Sequence, residues 1–289
     1  MEYRKLGATA VNLPVIGLGT WQYNGGIQPL RMGIALGARF IDTAESYGSE
    51  EVVGEAIQKI RKEVFLATKV SPRHFRYSGV IDAADRSLRR LQTDYIDLYQ
   101  LHWPNYIVPI EETMGAMERL VESGKIRFIG VSNFMLGDLK AARKVLVKSS
   151  IVSNQVRYNL TDRTIERDLL PYCQEHKVTI IAHSPLATGL SNLRAKDPEN
   201  ILGQLAGRKS KTIAQIAIEW CLAKPGVVTI PKASSPEHVR ENCEAFDAPL
   251  PDEELRLLDT RVKFRRRSRL ELSLRSVVRR ALQTAGKNQ

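Results

Sequence analysis

The chain has few cysteines and no long apolar run, and each shortage excludes a class of protein. Its three cysteines, Cys173, Cys221 and Cys243, lie far apart without a C-x-x-C pair, so neither a disulfide framework nor a metal site is predicted. No apolar stretch approaches the roughly 18 residues that a membrane helix requires, and no signal peptide follows Met1. We therefore expect a cytoplasmic protein without a membrane span.

Acidic residues are scarce only at the carboxyl-terminal end. The net charge is +11 over 289 residues. Residues 261–289 contain ten lysines and arginines against the single acid Glu271, for +9, whereas residues 1–260 contain 33 basic and 31 acidic residues, for +2. Because the body is nearly neutral, no nucleic-acid partner is expected for it.

The basic tail, residues 261–289, has the pattern of an amphipathic helix. After the arginine triplet at 265–267, apolar residues recur at helical spacing as Leu270, Leu274, Val277 and Ala281. The favoured interpretation is a helix that packs this stripe on the body, or extends from it, and exposes a basic face. Two alternatives stay open: contact with nucleic acid or an anionic membrane, and electrostatic help for an anionic substrate.

Strand-like apolar runs alternate with helical periodicity through residues 1–260. The runs begin near Val15, Arg39, Val64, Tyr95, Ile126, Ile151, Val178 and Val227. Eight strand-then-helix units predict one α/β domain, a (β/α)8 TIM barrel. The segment from Tyr3 to Leu13 predicts a β-hairpin that caps the barrel, and Pro251 predicts the start of an extra carboxyl-terminal helix before the tail.

A doubly wound nucleotide-binding sheet is the competing fold. Residues 17–22 begin like the dinucleotide fingerprint, but Gln22 stands where its third glycine belongs. Close packing of a helix over a pyrophosphate is therefore not encoded there, and the barrel is favoured.

Four polar residues lie at or just after the ends of successive runs: Asp42, Tyr47, Lys69 and His102. In a parallel barrel they would meet at the carboxyl end of the sheet. A tyrosine can protonate a carbonyl oxygen, and a neighbouring lysine is expected to lower its pKa. Asp42 would keep Lys69 charged, and His102 would hydrogen-bond the developing oxyanion. These residues predict a site that can hold a carbonyl oxygen and hand it a proton.

The same residues lie in motifs that resemble those of the aldo-keto reductase superfamily. The matching segments are GLGTW at 17–21, DTAESYG at 42–48, DYIDLYQLHW at 94–103, GKIRFIGVSNF at 124–134 and IPK at 230–232. The resemblance runs from the first hairpin to about residue 260. It implies an NAD(P)H-dependent oxidoreductase that reduces aldehydes or ketones, with hydride from the nicotinamide and a proton from Tyr47.

The resemblance also implies a cofactor site. Ser132, Asn133 and Gln155 match nicotinamide positions, residues 184–186 match a loop across the pyrophosphate, and the segment to about Ser210 would cover it. Lys232, Ser234, Glu241 and Asn242 match the adenosine end. The full set is Gly19, Thr20, Trp21, Asp42, Ser132, Asn133, Gln155, His183, Ser184, Pro185, Leu186, Lys232, Ala233, Ser234, His238, Glu241 and Asn242.

Three of these positions depart from the family pattern. His183 stands where many members have a tyrosine that stacks on the nicotinamide, so the stacking area is smaller. Ala233 and His238 stand where NADP-specific members have a serine and an arginine. Because Lys232 and Arg240 still supply cations, NADPH is favoured, and NADH is the alternative.

The substrate site is predicted less fully. Trp21, Tyr47, His102 and Trp103 are the expected substrate-binding residues, and Tyr23 and Phe75 are further aromatic candidates for an apolar mouth. The expected partner is a small carbonyl compound whose identity, like the oligomeric state, stays open. The alternative function is a cofactor-sensing regulatory protein that resembles a potassium-channel β subunit.

Overall fold

The computed structural model describes residues 1–285, apart from the side chain of Arg269. The chain begins with a hairpin of two antiparallel strands, β1 (Tyr3–Lys5) and β2 (Asn12–Pro14). Leu6 and Leu13 of this hairpin are fully buried in one cluster with barrel residues, among them Phe40, Ala67 and Val152. The predicted hairpin cap is therefore confirmed.

Eight parallel strands form the barrel, and neighbours in the sheet are neighbours in the chain. They are β3 (Leu18–Gly19), β4 (Phe40–Asp42), β5 (Phe65–Val70), β6 (Ile96–Leu101), β7 (Ile126–Ser132), β8 (Ile151–Arg157), β9 (Thr179–His183) and β10 (Val227–Thr229). Hydrogen bonds from Gly17 N to Thr229 O and from Thr229 N to Val15 O, both 2.8 Å, join the last strand to the first. The predicted (β/α)8 barrel is confirmed.

Helices surround the sheet, and each except the last buries apolar side chains in the core. They are α1 (Ile27–Ala35), α2 (Glu50–Ile57), α3 (Tyr77–Leu91), α4 (Ile110–Glu122), α5 (Leu136–Lys144), α6 (Leu169–Glu175), α7 (Leu190–Arg194), α8 (Ile201–Lys209), α9 (Ile213–Leu222), α10 (Pro236–Cys243), α11 (Asp252–Arg261) and α12 (Arg269–Thr284). The helix expected after Pro251 is α11. Helices α7 and α8 lie in the segment that was predicted only as a cover. Within residues 1–285 no helix is both long and apolar enough to cross a membrane.

Helix α12 lies across the carboxyl end of the barrel with its polar side inward. Gln283, 6% exposed, donates to Pro104 O and accepts from Tyr106 N, both at 3.0 Å. The apolar stripe instead faces solvent, with Leu274 57% and Val277 63% exposed. The expectation that this stripe packs on the body is therefore wrong, because the barrel mouth presents unpaired backbone groups that a polar side chain satisfies.

Candidate active site at the carboxyl end of the barrel

The Lys69 ammonium lies at the centre of the predicted catalytic group. Lys69 is the fifth residue of β5 and is fully buried. Its Nζ donates to Asp42 Oδ1 at 2.5 Å, to Thr43 O at 2.8 Å and to Tyr47 Oη at 3.4 Å. An ammonium has three hydrogens, so these three acceptors account for all of them. The Lys69 side chain is therefore held in one orientation.

Asp42 is the buried counter-ion of Lys69. It ends β4 and is 1% exposed. Its second oxygen, Oδ2, accepts from Gln100 Nε2 at 3.1 Å and from Gln155 Nε2 at 2.7 Å. Two amides and one ammonium thus compensate the carboxylate for the water it lost on burial. Gln100 was not anticipated from the sequence, although it lies on β6 only two residues before His102.

Tyr47 and His102 form the part of the group that reaches the mouth of the barrel. Both side chains are half-buried, and Tyr47 Oη lies 3.3 Å from His102 Nε2. Their rings meet edge to face at 5.4 Å between centroids. All four residues predicted from the strand ends are therefore brought together, and the two that would touch a substrate are the two nearest solvent.

The ionisation of this group differs in one respect from the expectation. Burial raises the pKa of the Tyr47 phenol, and the charge of Lys69 offsets only part of that effect, so the predicted lowering is wrong. Burial alone would lower the pKa of Lys69, but Asp42 and Tyr47 together raise it. At neutral pH the structure thus holds a protonated phenol beside a charged ammonium.

His102 is a neutral imidazole throughout the physiological range. Burial lowers its pKa to about 3, and the positive charges of Lys69 and Arg279 add to the effect. Burial also lowers the pKa of His183 to about 3, with Lys69 contributing. A neutral imidazole can donate one hydrogen bond from Nε2 when that nitrogen carries the proton.

The predicted nicotinamide residues line the same end of the barrel, at the ends of β7, β8 and β9. Asn133 has a left-handed backbone, φ 61°, and its Nδ2 donates to His102 O and to Ser132 Oγ, both at 3.0 Å. Its Oδ1 lies 3.3 Å from His183 Nε2. The structure thus joins Asn133 and His183 to the predicted catalytic group, whereas the Gln155 amide is already bonded to Asp42.

The loop after β9 has an uncommon backbone. Ser184, Ala187 and Thr188 adopt positive φ angles of 54°, 54° and 64°, and Gly189 follows at 144°. Such conformations are costly for residues with a side chain and are concentrated at ligand sites. This loop contains the segment 184–186 that was predicted to cross the pyrophosphate.

The predicted adenosine end lies beside the β10 strand and the start of α10. A crevice there is lined in part by Gly19, Ala233 and Asn242, three of the predicted residues. Lys232 is exposed, and no carboxylate lies within 4 Å of its ammonium among the residues that the structure describes. Glu241 Oε1, by contrast, accepts a hydrogen bond from Thr212 at 2.5 Å. A free cation next to a helix N-terminus suits a phosphate.

Aromatic side chains surround the mouth, with one exception among those predicted. Trp21 is 50% and Trp103 is 38% exposed, and Tyr23 Oη bonds Gly26 O at 2.7 Å. Phe75 is 1% exposed in the hydrophobic core, so its assignment to the mouth is wrong. Its position in the turn after β5 is typical of an exposed loop residue, but that turn folds inward.

Arg279 of α12 was missed altogether. Its guanidinium carbon lies 3.9 Å from the centroid of the Trp103 ring, a cation–π contact at the mouth. The tail sequence identified a basic helix but carried no sign of which arginine would reach the barrel. Together with Gln283, Arg279 holds α12 against the loop after β6.

Fold and site together define a class of protein. The chain is a (β/α)8 barrel whose carboxyl end carries a phenol, an ammonium, a carboxylate and an imidazole in one hydrogen-bonded group. Such a group can donate a proton, which an oxidoreductase that acts on carbonyl compounds requires. It lies at the carboxyl end of the barrel, where the catalytic residues of (β/α)8 enzymes lie.

The chain belongs to the aldo/keto reductase family, whose sequence profile matches residues 15–262. It is 41% identical over 261 residues to the methylglyoxal reductase YeaE of Escherichia coli strain K12, covering 86% of this chain and 91% of that protein. It is 36% identical over 255 residues to the glyoxal reductase of Bacillus subtilis strain 168, with 86% and 89% covered. The predicted family is confirmed.

Solved structures agree with this assignment. The thermostable aldo-keto reductase Tm1743, solved with the inhibitor epalrestat, has a TM-score of 0.85 and 42% identity, over 90% of this chain and 99% of that one. An aldo/keto reductase of Klebsiella pneumoniae, solved with NADP and acetate, has a TM-score of 0.81 and 43% identity, over 89% and 94%. The alternative of a channel regulatory subunit is not favoured, since these relatives are reductases.

Proposed function

We propose that this chain reduces small aldehydes and ketones to alcohols, with NADPH as the hydride source and Tyr47 as the proton donor. The observation that carries the proposal is the placement of Tyr47 Oη, 3.4 Å from Lys69 Nζ and 3.3 Å from His102 Nε2, at the mouth of the barrel. A carbonyl oxygen that enters this mouth meets an O–H donor and an imidazole at once.

The cofactor supplies the hydride that no protein side chain can give. Its nicotinamide would be held at the ends of β7 and β8 by Ser132, Asn133 and Gln155, beside the His183 ring. The loop at 184–186 would cross the pyrophosphate. The exposed Lys232 ammonium, with Ser234 and the start of α10, would receive the adenosine phosphate, which favours NADPH over NADH.

The proton-transfer step follows from the contacts of Tyr47. Its raised pKa keeps the phenol protonated, so the proton is present when a carbonyl oxygen arrives. As that oxygen gains negative charge, Tyr47 gives up its proton, and the Lys69 ammonium stabilises the phenolate that forms. Asp42 is a positioning residue, because it orients Lys69 and does not reach the mouth.

Two relatives act, by name, on methylglyoxal and glyoxal. We extend their substrate class, the 2-oxoaldehydes, to this chain as part of the proposal. Such compounds are small and strongly electrophilic, so they need little pocket beyond the oxyanion donors and the apolar surface of Trp21 and Trp103. The reverse reaction, oxidation of an alcohol with NADP, would use the same residues in the opposite direction.

The test is Tyr47→Phe, assayed by NADPH oxidation with methylglyoxal and with 4-nitrobenzaldehyde. Loss of the donor should lower kcat by about 10³-fold, while NADPH still quenches the protein fluorescence with nearly unchanged affinity. The matched control is Tyr77→Phe, which removes the hydroxyl of a 44% exposed tyrosine at the start of α3 and should keep wild-type turnover. Near wild-type reduction by Tyr47→Phe would exclude the assignment.

A further inference from the structure

The outward face of α12 is apolar. Its large side chains Leu270, Leu274, Val277, Val278 and Leu282 are between 46% and 71% exposed. At 3.6 residues per turn, these five positions lie on one side of the helix. A folded protein rarely leaves such a stripe in water unless a partner covers it.

The orientation of α12 is set by its opposite face. Gln283 makes both of its hydrogen bonds to the 104–106 backbone, and Arg279 lies on the Trp103 ring. Leu272 and Ser276, spaced one turn apart on this same side, are half-buried. Rotating the helix to bury the stripe would break these contacts, so the apolar face is held outward.

Arginines lie on both sides of the exposed stripe. The Arg275 side chain is 59% exposed, and its nearest carboxylate, Glu271, lies 3.9 Å away and also pairs with Arg265 and Arg267. Arg280 is exposed, and no carboxylate among the residues described lies within 4 Å of it. An apolar stripe with arginine on its flanks is the pattern of a helix that lies in the interface of an anionic membrane.

A second copy of the chain fits this face less well. A helix of 16 residues is about 24 Å long, and at about 10 Å width its outer face offers roughly 240 Å² per copy. A stable protein interface needs about 800 Å² from each partner. Pairing two such faces would also bring the arginines of both copies together, which opposes association.

We infer that the outward face of α12 binds the surface of an anionic lipid bilayer and holds the enzyme there as a peripheral protein. The five apolar side chains would enter the acyl boundary, and Arg275 and Arg280 would meet the phosphates of the headgroups. Because α12 covers the carboxyl end of the barrel, the reductase mouth would face the membrane surface.

The experiment is co-sedimentation of the full chain with sucrose-loaded vesicles of phosphatidylcholine alone or of an equal mixture with phosphatidylglycerol. Binding to the anionic vesicles should be at least about tenfold stronger and should weaken at high salt. The double variants Leu274→Gln, Val277→Gln and Arg275→Gln, Arg280→Gln should each lower the partition coefficient about tenfold. Both should keep wild-type turnover of 4-nitrobenzaldehyde, which shows that they fold.

The matched control is Val147→Gln. Val147 is 86% exposed after the end of α5, near the amino end of the barrel, and its replacement should leave vesicle binding unchanged. Equal binding to neutral and anionic vesicles, or full binding by the Leu274, Val277 double variant, would overturn the proposal. So would a dimer detected by light scattering that this variant abolishes, which would assign the face to a second copy.

Discussion

Each end of the barrel contains a buried aspartate, and the two are compensated differently. At the amino end, Asp97 on β6 is 1% exposed and accepts from Arg61 at 2.8 Å, from Arg127 at 2.5 Å and from Leu66 N at 3.0 Å. At the carboxyl end, Asp42 is equally buried but accepts from Lys69 and two amides.

The two groups differ in the other hydrogen bonds that their cations donate. Arg61 directs its remaining donors to Thr93 Oγ1 and to the backbone carbonyls of Val64 and Tyr95, so its hydrogen bonds stay within the amino-end group. Lys69 donates a hydrogen bond to the Tyr47 hydroxyl, which lies beside His102 at the barrel mouth. A similar buried ion pair thus serves stability at one end of the barrel and, in the proposed mechanism, chemistry at the other.

The largest effect should come from breaking the carboxyl-end pair. We expect Lys69→Met to lower kcat by about 10³-fold, because the phenolate of Tyr47 loses its counter-charge. It should also cost about 3–5 kcal/mol of unfolding free energy, because Asp42 is left buried and charged. Steady-state kinetics and urea unfolding measure the two losses.

The double variant Asp42→Asn, Lys69→Met separates these losses. Removing both charges should restore most of the stability, since no ion remains buried without a partner, but it should restore none of the activity. Wild-type turnover in the double variant would show that the ammonium is only a structural group, like the arginines at the amino end.

Breaking the amino-end pair should affect stability alone. We expect Asp97→Asn to lower the unfolding free energy by about 3 kcal/mol, because Arg61 and Arg127 lose their shared carboxylate. The value of kcat at a temperature where the variant is folded should stay within about twofold of wild type, since the active sites of (β/α)8 barrels lie at the carboxyl end. A large fall in kcat without unfolding would contradict the division between the two ends.

The pH dependence of stability should report on the imidazoles of the carboxyl end. The pKa values of His102 and His183 are lowered to about 3, from an ordinary value of 6.5. Between these pH values the unfolded chain binds protons that the folded chain does not, so the unfolding free energy should fall as the pH drops below 6.5. Urea midpoints measured at a series of pH values from neutral into the acid range test this fall, and His102→Asn should make it shallower.

The smallest effect should come from weakening the attachment of α12, the helix that lies across the carboxyl end of the barrel. Gln283→Ala removes two hydrogen bonds to the 104–106 backbone, so the Trp103 loop should be less well positioned. We expect KM for methylglyoxal to rise about fivefold, the equivalent of one net hydrogen bond, with kcat unchanged. Gln58→Ala, at an exposed position that follows α2, is the control, and an equal rise in both variants would contradict a specific role for α12.

Much of the site followed from local sequence pattern. Asp42, Lys69 and His102 each end an apolar run, and parallel strands bring such ends together without further information. The Tyr47 phenol followed because it lies a short loop after Asp42. The role of Gln100 could not be predicted in this way. It alternates with core residues along β6, and nothing in the sequence shows which side chain points to a carboxylate.

The sign of the Tyr47 pKa shift was predicted incorrectly for a related reason. The sequence places a lysine near the tyrosine, but it does not show how much water the fold removes from the phenol. Burial depends on every element around the site, and here it outweighs the charge of Lys69. Phe75 was misplaced on the same grounds, since a loop position by itself does not reveal exposure.

The sequence by itself determined the barrel, the family and the four polar residues at the strand ends, because strand periodicity and chain order are local properties. Only the tertiary structure decided how α12 lies. Its amphipathic pattern is compatible with either face inward, and the choice depended on backbone groups of the 104–106 loop, far away in the chain, that Gln283 satisfies. Long-range partners of this kind are set by packing and leave no periodic trace in the residues themselves.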